Sequence, residues 1–190
     1  MRPVTPLRPL LGGKDPSSPS SEHVDPEDME QLFRRFAPYV ARIAGRILGR
    51  WGEVDDIVQD VFLDAHLGLK ALRDAAAVRH WLATVTVRKA RRRLGRRGVM
   101  RWLGLDASFD GSQIPDANAS AETRAYVIAV YRILDTVSPD ARVAWLMHRV
   151  EDESLETVAT ICKCSRATAH RRVCEAQLAL EKGFQDDPKR

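Results

Sequence analysis

Residues 154–181 read SLETVATICKCSRATAHRRVCEAQLALE, and this stretch indicates two helices separated by a tight turn. In the first helix, over residues 155–162, apolar side chains recur at three- and four-residue spacing. A turn is predicted at Lys163 and Cys164, after which Ser165 is expected to cap a longer helix. That second helix is expected to bury Ala169, Val173 and Ala176. Two short helices joined by a three-residue turn are typical of a helix-turn-helix.

The outward face of the second helix carries side chains that suit DNA. Cationic and hydrogen-bonding groups on such a helix can reach phosphates and base edges in the major groove. The candidate DNA-binding residues are Arg166, Thr168, His170, Arg171 and Arg172. A helical hairpin with a merely charged surface is the alternative interpretation. Lys163 is an unusual turn residue, because such turns often contain a glycine that reaches positive φ.

A second basic surface is predicted upstream, in a window that contains no Asp or Glu. This window runs from Ala75 to Leu105 and is rich in arginine. Positive side chains in such a block repel one another unless a polyanion neutralises them. The guanidinium group of arginine also matches the geometry of phosphate well. The block therefore favours a nucleic-acid partner over a solvated helix face. The helix that enters it starts near Ala76 and is expected to bury Val78, Trp81, Leu82 and Val85.

Residues 54–72, VDDIVQDVFLDAHLGLKAL, form the most regular amphipathic pattern of the chain. The apolar stripe comprises Ile57, Val58, Val61, Phe62, Ala65, Leu69 and Leu72. The opposite face carries an acidic stack with one amide beside it: Asp56, Asp60, Asp64 and Gln59. By itself this acidic face is most simply a solvated surface. Helical patterns also cover residues 29–36 and 40–48, and Pro38 is predicted to end the first of these helices.

The periodicity predicts an all-α protein of two small helical domains joined by a flexible linker. A proline- and serine-rich disordered leader is expected over residues 1–25, followed by a first domain over residues 26–102. Residues 103–121 contain no Lys or Arg and no helical period, so they form the predicted linker. The second domain covers residues 122–184 and contains the helix-turn-helix, and residues 185–190 form a short tail.

Composition and motifs exclude several classes of protein. The chain has 190 residues, 44% of them hydrophobic, but no apolar run near the ~20 residues that span a bilayer. Its three cysteines cannot make a disulfide framework, which fits a cytoplasmic protein. The group Cys162, Cys164, His170 and Cys174 does not have a usual structural zinc spacing. Phosphate-binding loops, nucleophile elbows and paired histidine ligands are absent from the sequence, so we expect no metal, no cofactor and no catalytic residues.

Taken together, residues 28–184 resemble the extracytoplasmic-function (ECF) sigma factors, the small promoter-recognition subunits of bacterial RNA polymerase. The first block is LFRRFAPYVARIAGRILG, then DDIVQDVFLDA, then RHWLATV before the basic run, and it is similar to the sigma-two domain of that family. The second block, LDTVSPDARVAWLMHRVEDESLETVATICKCSRATAHRRV, is similar to the sigma-four domain. The combination is specific because both blocks occur in the right order with a linker between them.

The resemblance implies a role for each surface. Asp56, Gln59 and Asp60 would bind the clamp helices of the largest catalytic subunit of core polymerase. The residues that would engage and melt the minus-ten promoter element are Trp81, Arg88, Lys89, Arg91, Arg92 and Arg93. The helix that starts at Arg166 would read the minus-thirty-five element as duplex DNA. An anti-sigma factor is a further implied partner, and the chain would be a cytoplasmic protein that is neither an enzyme nor inserted in a membrane.

Two positions of the basic run depart from the family pattern. Where members often have an asparagine and later an aspartate after the Trp-Leu pair, this chain has Arg88 and Arg92. These departures predict a divergent member with an unusual promoter preference. Three alternatives to a sigma factor stay open: a stand-alone helix-turn-helix regulator, a sigma-like decoy that binds polymerase or an anti-sigma factor without initiating, and a small metal-dependent enzyme.

Overall fold

Seven α-helices and one short 3-10 helix make up the part of the chain that this computed structural model describes, residues 28–68, 74–103 and 120–185. The helices are α1 (Met29–Leu48), the 3-10 helix (Trp51–Glu53), α2 (Val54–Gly68), α3 (Ala75–Trp102), α4 (Ala121–Leu134), α5 (Pro139–Arg149), α6 (Leu155–Cys162) and α7 (Arg166–Gln185). The described residues contain no strand, which confirms the all-α prediction. The predicted leader, nearly all of the predicted linker and residues 186–190 of the predicted tail lie outside the described residues.

Helix α1 runs without interruption through Pro38, so the prediction that this proline ends a helix is wrong. The buried stripe explains the difference, because Phe36 and Val40 stay in helical register on either side of the proline and both are fully buried. Pro38 itself is exposed, so water can solvate the carbonyl group that loses its helical partner. The helix ends at Gly49, which adopts the left-handed conformation with φ 70°.

Helices α1, α2 and α3 pack together as an N-terminal unit, defined here as residues 28–68 and 74–103. The predicted stripe of α2 is buried from Ile57 to Ala65, whereas Leu69 and Leu72 lie outside the described residues. Helix α3 continues through the whole arginine block because apolar positions recur inside it. The buried apolar positions within the block are Val87, Ala90 and Leu94.

Helices α4 to α7 form a C-terminal unit, residues 120–185, in which α7 packs against the other three helices. Helix α5 starts at a Ser-Pro-Asp sequence, with the Ser138 hydroxyl accepting a hydrogen bond from the Ala141 amide at 3.1 Å and Pro139 in the first turn. Helix α6 has the predicted bounds, and α7 starts after Ser165 as predicted. Between them Lys163 adopts the left-handed conformation, with φ 53° and ψ 52°.

The two units contact each other through α1 and α3 on one side and α5 and α6 on the other. Because of these contacts, the basic helix α3 lies against the unit that contains the helical hairpin. Within the described residues, no helix is both long enough and apolar enough to cross a membrane.

Candidate functional site

The acidic face of α2 faces solvent, as the sequence pattern predicts. Asp56, Gln59 and Asp60 are all exposed, while Ile57 and Val61 on the other side of the helix are buried. The Asp56 carboxylate is partly engaged, because its Oδ2 atom lies 3.1 Å from an Nη2 atom of Arg93. Asp60 is also exposed, and it makes no ion pair within the described residues.

An apolar groove lies beside the acidic face, between the start of α1 and α2. Its volume is about 510 Å³, and its floor contains Val58 and Phe62. The rim has exposed hydrophobic side chains, since Phe33 is 47% exposed and Leu63 is 58% exposed. Phe33 packs on Phe62 with ring centroids 4.8 Å apart. An exposed apolar rim next to carboxylates is typical of a protein-binding surface.

The predicted minus-ten residues on α3 are largely paired with carboxylates of the same chain. Arg88 and Lys89 both contact Asp64, at 2.9 and 3.1 Å. Arg91 reaches Asp140 in α5, at 3.2 Å. Arg93 binds Glu53 as well as Asp56. Arg92 is exposed and makes no ion pair within the described residues.

Glu53, in the 3-10 helix, anchors the far part of the arginine block. Its two carboxylate oxygens accept hydrogen bonds from Arg93 and Arg97. Burial alone would raise the pKa of Glu53, but the hydrogen bonds and charges of the two arginines outweigh it and hold the pKa below the ordinary 4.5. The carboxylate therefore stabilises the fold mainly while it is ionised.

Replacing Glu53 with glutamine should lower the free energy of unfolding near neutral pH by about 1.5–3 kcal/mol, the range for hydrogen bonds to charged groups. Because the folded pKa lies below the unfolded one, this contribution is complete above the unfolded pKa and disappears as pH falls through the folded pKa. Urea unfolding near pH 7 and again near pH 3 measures it. Glu122→Gln, an exposed control in α4, should change neither value. An equal loss at both pH values for Glu53→Gln would contradict the expectation.

Trp81 is half-buried and lines a cleft between α3 and the turn of the helical hairpin. The cleft has a volume of about 450 Å³ and is lined by Ala77, His80, Trp81, Thr84, Val85, Arg88 and Lys163. One wall therefore comes from the N-terminal unit and Lys163 comes from the turn between α6 and α7. The position of Trp81 at the edge of the core is compatible both with core packing and with a DNA contact.

The predicted recognition residues lie on one helix but differ in their surroundings. Arg166, His170 and Arg171 are exposed, and Arg166 pairs with Glu156 of α6. Thr168 is half-buried, with its hydroxyl 2.9 Å from that of Ser165. Arg172 pairs with Asp140, the same carboxylate that Arg91 contacts. The exposed members can reach a duplex in this arrangement, although Arg166 and Arg172 are each paired with a carboxylate.

The cysteines do not come together around a common centre. Cys162 is buried, and burial raises the pKa of its thiol to about 11. Cys174 is exposed, with its sulfur 3.7 Å from Nε2 of His170 one turn away. In residues 28–68, 74–103 and 120–185, no group of three or more His, Cys, Asp or Glu side chains could hold a metal ion.

Sequence reasoning missed the acids that hold the basic helix in place. Glu53 and Asp140 come from other elements than α3, and the sequence signal available was only the excess of positive charge that needs partners. It also missed two buried arginines, Arg46 and Arg142, each 3% exposed. Both stand inside otherwise apolar helical runs, which is a signal for a buried ion pair.

Known proteins resemble this chain over most of its length. Residues 32–99 match the family model described as Sigma-70 region 2. The ECF RNA polymerase sigma factor SigM of Mycobacterium tuberculosis is 31% identical over 152 residues, 80% of this chain and 74% of that protein. The ECF RNA polymerase sigma-E factor of Escherichia coli K12 is 26% identical over 175 residues, covering 85% and 88% of the two chains.

A solved structure supports the fold independently. The sigma factor RpoE of Bartonella quintana, solved in complex with the anti-sigma factor NepR, has a TM-score of 0.63. The match covers 85% of this chain and 99% of that one at 20% identity, so it supports only the fold. Together with the match to SigM, the helical fold and the paired acidic and basic surfaces lead to one conclusion: the chain belongs to the family of ECF RNA polymerase sigma factors.

Proposed function

We propose that this chain binds core RNA polymerase through the acidic face of α2 and directs it to promoters through its two basic surfaces. The observation that carries the proposal is the exposure of Asp56, Gln59 and Asp60 on the solvent side of a helix whose other side is buried. Exposed carboxylates complement a basic partner and speed its association. The neighbouring groove with Phe33 and Leu63 at its rim adds apolar area for the same partner.

Promoter DNA is the second proposed partner. Helix α3 supplies Trp81 and the arginine block for the minus-ten element, where phosphates would replace the carboxylates that now pair with the block. Helix α7 supplies Arg166, His170 and Arg171 for the duplex of the minus-thirty-five element. Thr168 and Arg172 flank these side chains on the same helix.

Sigma factors are transcription initiation factors and not enzymes. In this proposal the polymerase performs the chemistry, and the chain contributes binding, positioning and duplex opening without a cofactor. It acts where the polymerase is, in the cytoplasm. An anti-sigma factor is a further proposed partner, supported by the anti-sigma complex of the structurally similar RpoE.

Reconstituted transcription tests this function. Purified protein is mixed with bacterial core polymerase and a library of genomic DNA fragments, and the transcripts are sequenced to locate start sites. We expect new start sites that share a two-part upstream motif. The variant Gln59→Ala with Asp60→Arg should lower their yield by about ten- to a hundredfold, since a like charge opposite a basic partner costs several kcal/mol.

Asp60 is a sharper target than Asp56, because Asp56 also pairs with Arg93 and its loss would disturb the arginine block. The matched control is Gln185→Ala with Glu122→Arg, which removes the same amide and reverses the same sign of charge at exposed positions of the C-terminal unit and should keep the start sites. Binding to core without any start site would instead indicate a decoy. Specific duplex binding that ignores core would indicate a stand-alone regulator.

A further inference from the structure

The groove between α1 and α2 is long, aromatic and bordered by acids. Along α2 it extends from Asp55 to His66, about 16 Å at a helical rise of ~1.5 Å per residue. Phe33 of α1 and Phe62 of α2 supply its aromatic rings, and Phe33 is 47% exposed. Aromatic-lined grooves are the surfaces that proline-rich segments bind.

The charge around the groove is negative. Asp55 lines it directly, and Asp56 and Asp60 are exposed on the same helix. Among the described residues that line the groove, none is a lysine or an arginine. The groove therefore suits a segment that combines apolar side chains with positive charge.

Residues 2–11 of this chain, RPVTPLRPLL, have that combination in a regular pattern, and we call them the proline-rich segment. The prolines recur every three residues, which is the period of the polyproline II helix. These prolines are Pro3, Pro6 and Pro9. At the same period, one further edge of the helix is apolar, with side chains about 9 Å apart. This apolar edge consists of Val4, Leu7 and Leu10. The third edge carries two positive charges, Arg2 and Arg8.

The proline-rich segment is tethered close to the groove. Residues 12–27 connect it to Asp28, and the next residue, Met29, already lines the groove. A flexible chain of that length has a root-mean-square span of about 20–24 Å, similar to the ~16 Å length of the groove. A tether that matches the distance to be spanned gives the segment an effective concentration on the order of 1 mM at the groove.

We propose that residues 2–11 bind this groove as a polyproline II segment, with the apolar edge on Phe33 and the arginines toward Asp55. A partner that binds the acidic face of α2 must then displace the segment, and this consequence rests on the proposed function. Occupation of the groove does not rest on it, and can be tested in the free protein without polymerase or DNA.

The labelling rate of a thiol in the groove reports on its occupation. His66→Cys places this thiol at an exposed position that lines the groove. The exposed native Cys174 of α7 is the reference thiol in the same molecule, and mass spectrometry of peptides separates the two. A segment with a dissociation constant of about 0.1 mM would occupy the groove about nine-tenths of the time at an effective concentration of ~1 mM. We therefore expect maleimide to label position 66 about tenfold more slowly than it would in a free groove.

Removal of the apolar edge should release this protection. Leu7→Ser with Leu10→Ser should raise the labelling rate at position 66 about tenfold relative to the reference thiol, because the segment loses most of the surface it buries. An unchanged rate in this double variant would overturn the proposal.

The arginine edge is tested by a pair of charge reversals. Arg8→Glu should raise the labelling rate at position 66 at least about threefold, because it brings a carboxylate next to the acids of α2. Lys14→Glu is the matched control, since it makes the same change of charge N-terminal to α1 but outside the proline-rich segment. It should leave the rate unchanged. Equal effects of the two reversals would overturn the proposed contact.

Dilution distinguishes the chain's own segment from that of a second copy. Binding within one chain does not depend on protein concentration, so the protection of position 66 should persist over a dilution on the order of a hundredfold. Protection that is lost on dilution would show that the segment binds another molecule, and it would overturn the proposal.

Binding to core polymerase tests the displacement step. Leu7→Ser with Leu10→Ser should tighten binding to core by about the same factor by which it speeds labelling, because core no longer competes with the segment. Protection of position 66 without any gain in core affinity would refute displacement while leaving the proposed function in place. Failure of every variant to bind core would instead count against the proposed function. In that case, the labelling rates of the free protein still decide whether the segment occupies the groove.

Discussion

Replacing Trp145 with alanine is expected to lower the free energy of unfolding by about 3–5 kcal/mol, within a total stability of about 5–15 kcal/mol for an ordinary domain. Trp145 lies in α5, is 2% exposed and belongs to the core shared with α7. Its Nε1 atom also donates a hydrogen bond to Oε1 of Gln177 in α7, at 2.9 Å. The substitution leaves a cavity and removes the partner of a polar group.

The loss should extend to function, because α7 carries the proposed recognition residues. We expect Trp145→Ala to weaken binding to duplex promoter DNA even where the protein is still folded. Urea unfolding and duplex titration measure the two effects. Trp145→Phe keeps most of the buried area and should cost less, while Leu178→Ala, at a position 56% exposed, should cost under about 1 kcal/mol. Equal losses at Trp145 and Leu178 would contradict this account.

Two glycines should respond to alanine in opposite directions. Gly49 ends α1 at φ 70°, and a Cβ atom there would lie 2.7 Å from Cδ1 of Tyr131. The left-handed backbone and the steric clash together predict a loss of about 2–4 kcal/mol for Gly49→Ala. Gly95 lies inside α3, where an added Cβ atom would meet no other side chain within 4 Å, so Gly95→Ala should gain about 0.5–1 kcal/mol.

Thermal unfolding of the two variants checks this pair, with the unchanged protein as reference. The comparison is informative because the chemical change is the same in both. A neutral Gly49→Ala would mean that Tyr131 does not lie against the end of α1 in solution. Destabilisation by Gly95→Ala would mean that the arginine block is not helical at that point.

Hydrophobic periodicity was enough to place most of the helices. The stripe around Val58 and the Ser138-Pro139 start each correspond to an observed element, because local spacing and capping act within a few residues. The prediction at Pro38 was wrong because the burial of Phe36 and Val40 stabilises the continuous helix by more than one lost hydrogen bond costs. Only the tertiary structure shows that both side chains are buried.

Contacts between the units could not be predicted from local patterns. Arg46 and Glu151 are 105 positions apart in the chain, and nothing in either neighbourhood identifies the other. The resemblance to sigma factors predicted which surfaces face polymerase and DNA, but it did not indicate that Asp140 would join Arg91 to Arg172. Pairing of this kind depends on tertiary geometry, and sequence periodicity carries no information about tertiary geometry.

The internal carboxylates on the arginine block also bear on how binding responds to salt. A protein whose DNA-binding lysines and arginines are unpaired gains affinity because its binding releases the ions condensed on the duplex. That gain falls steeply as the salt concentration rises. Here Asp64, Glu53 and Asp140 already act as fixed counterions for most of the block. Binding then exchanges carboxylates for phosphates at those arginines. The block can therefore remain strongly basic in sequence while it attracts random polyanions less than its charge count suggests.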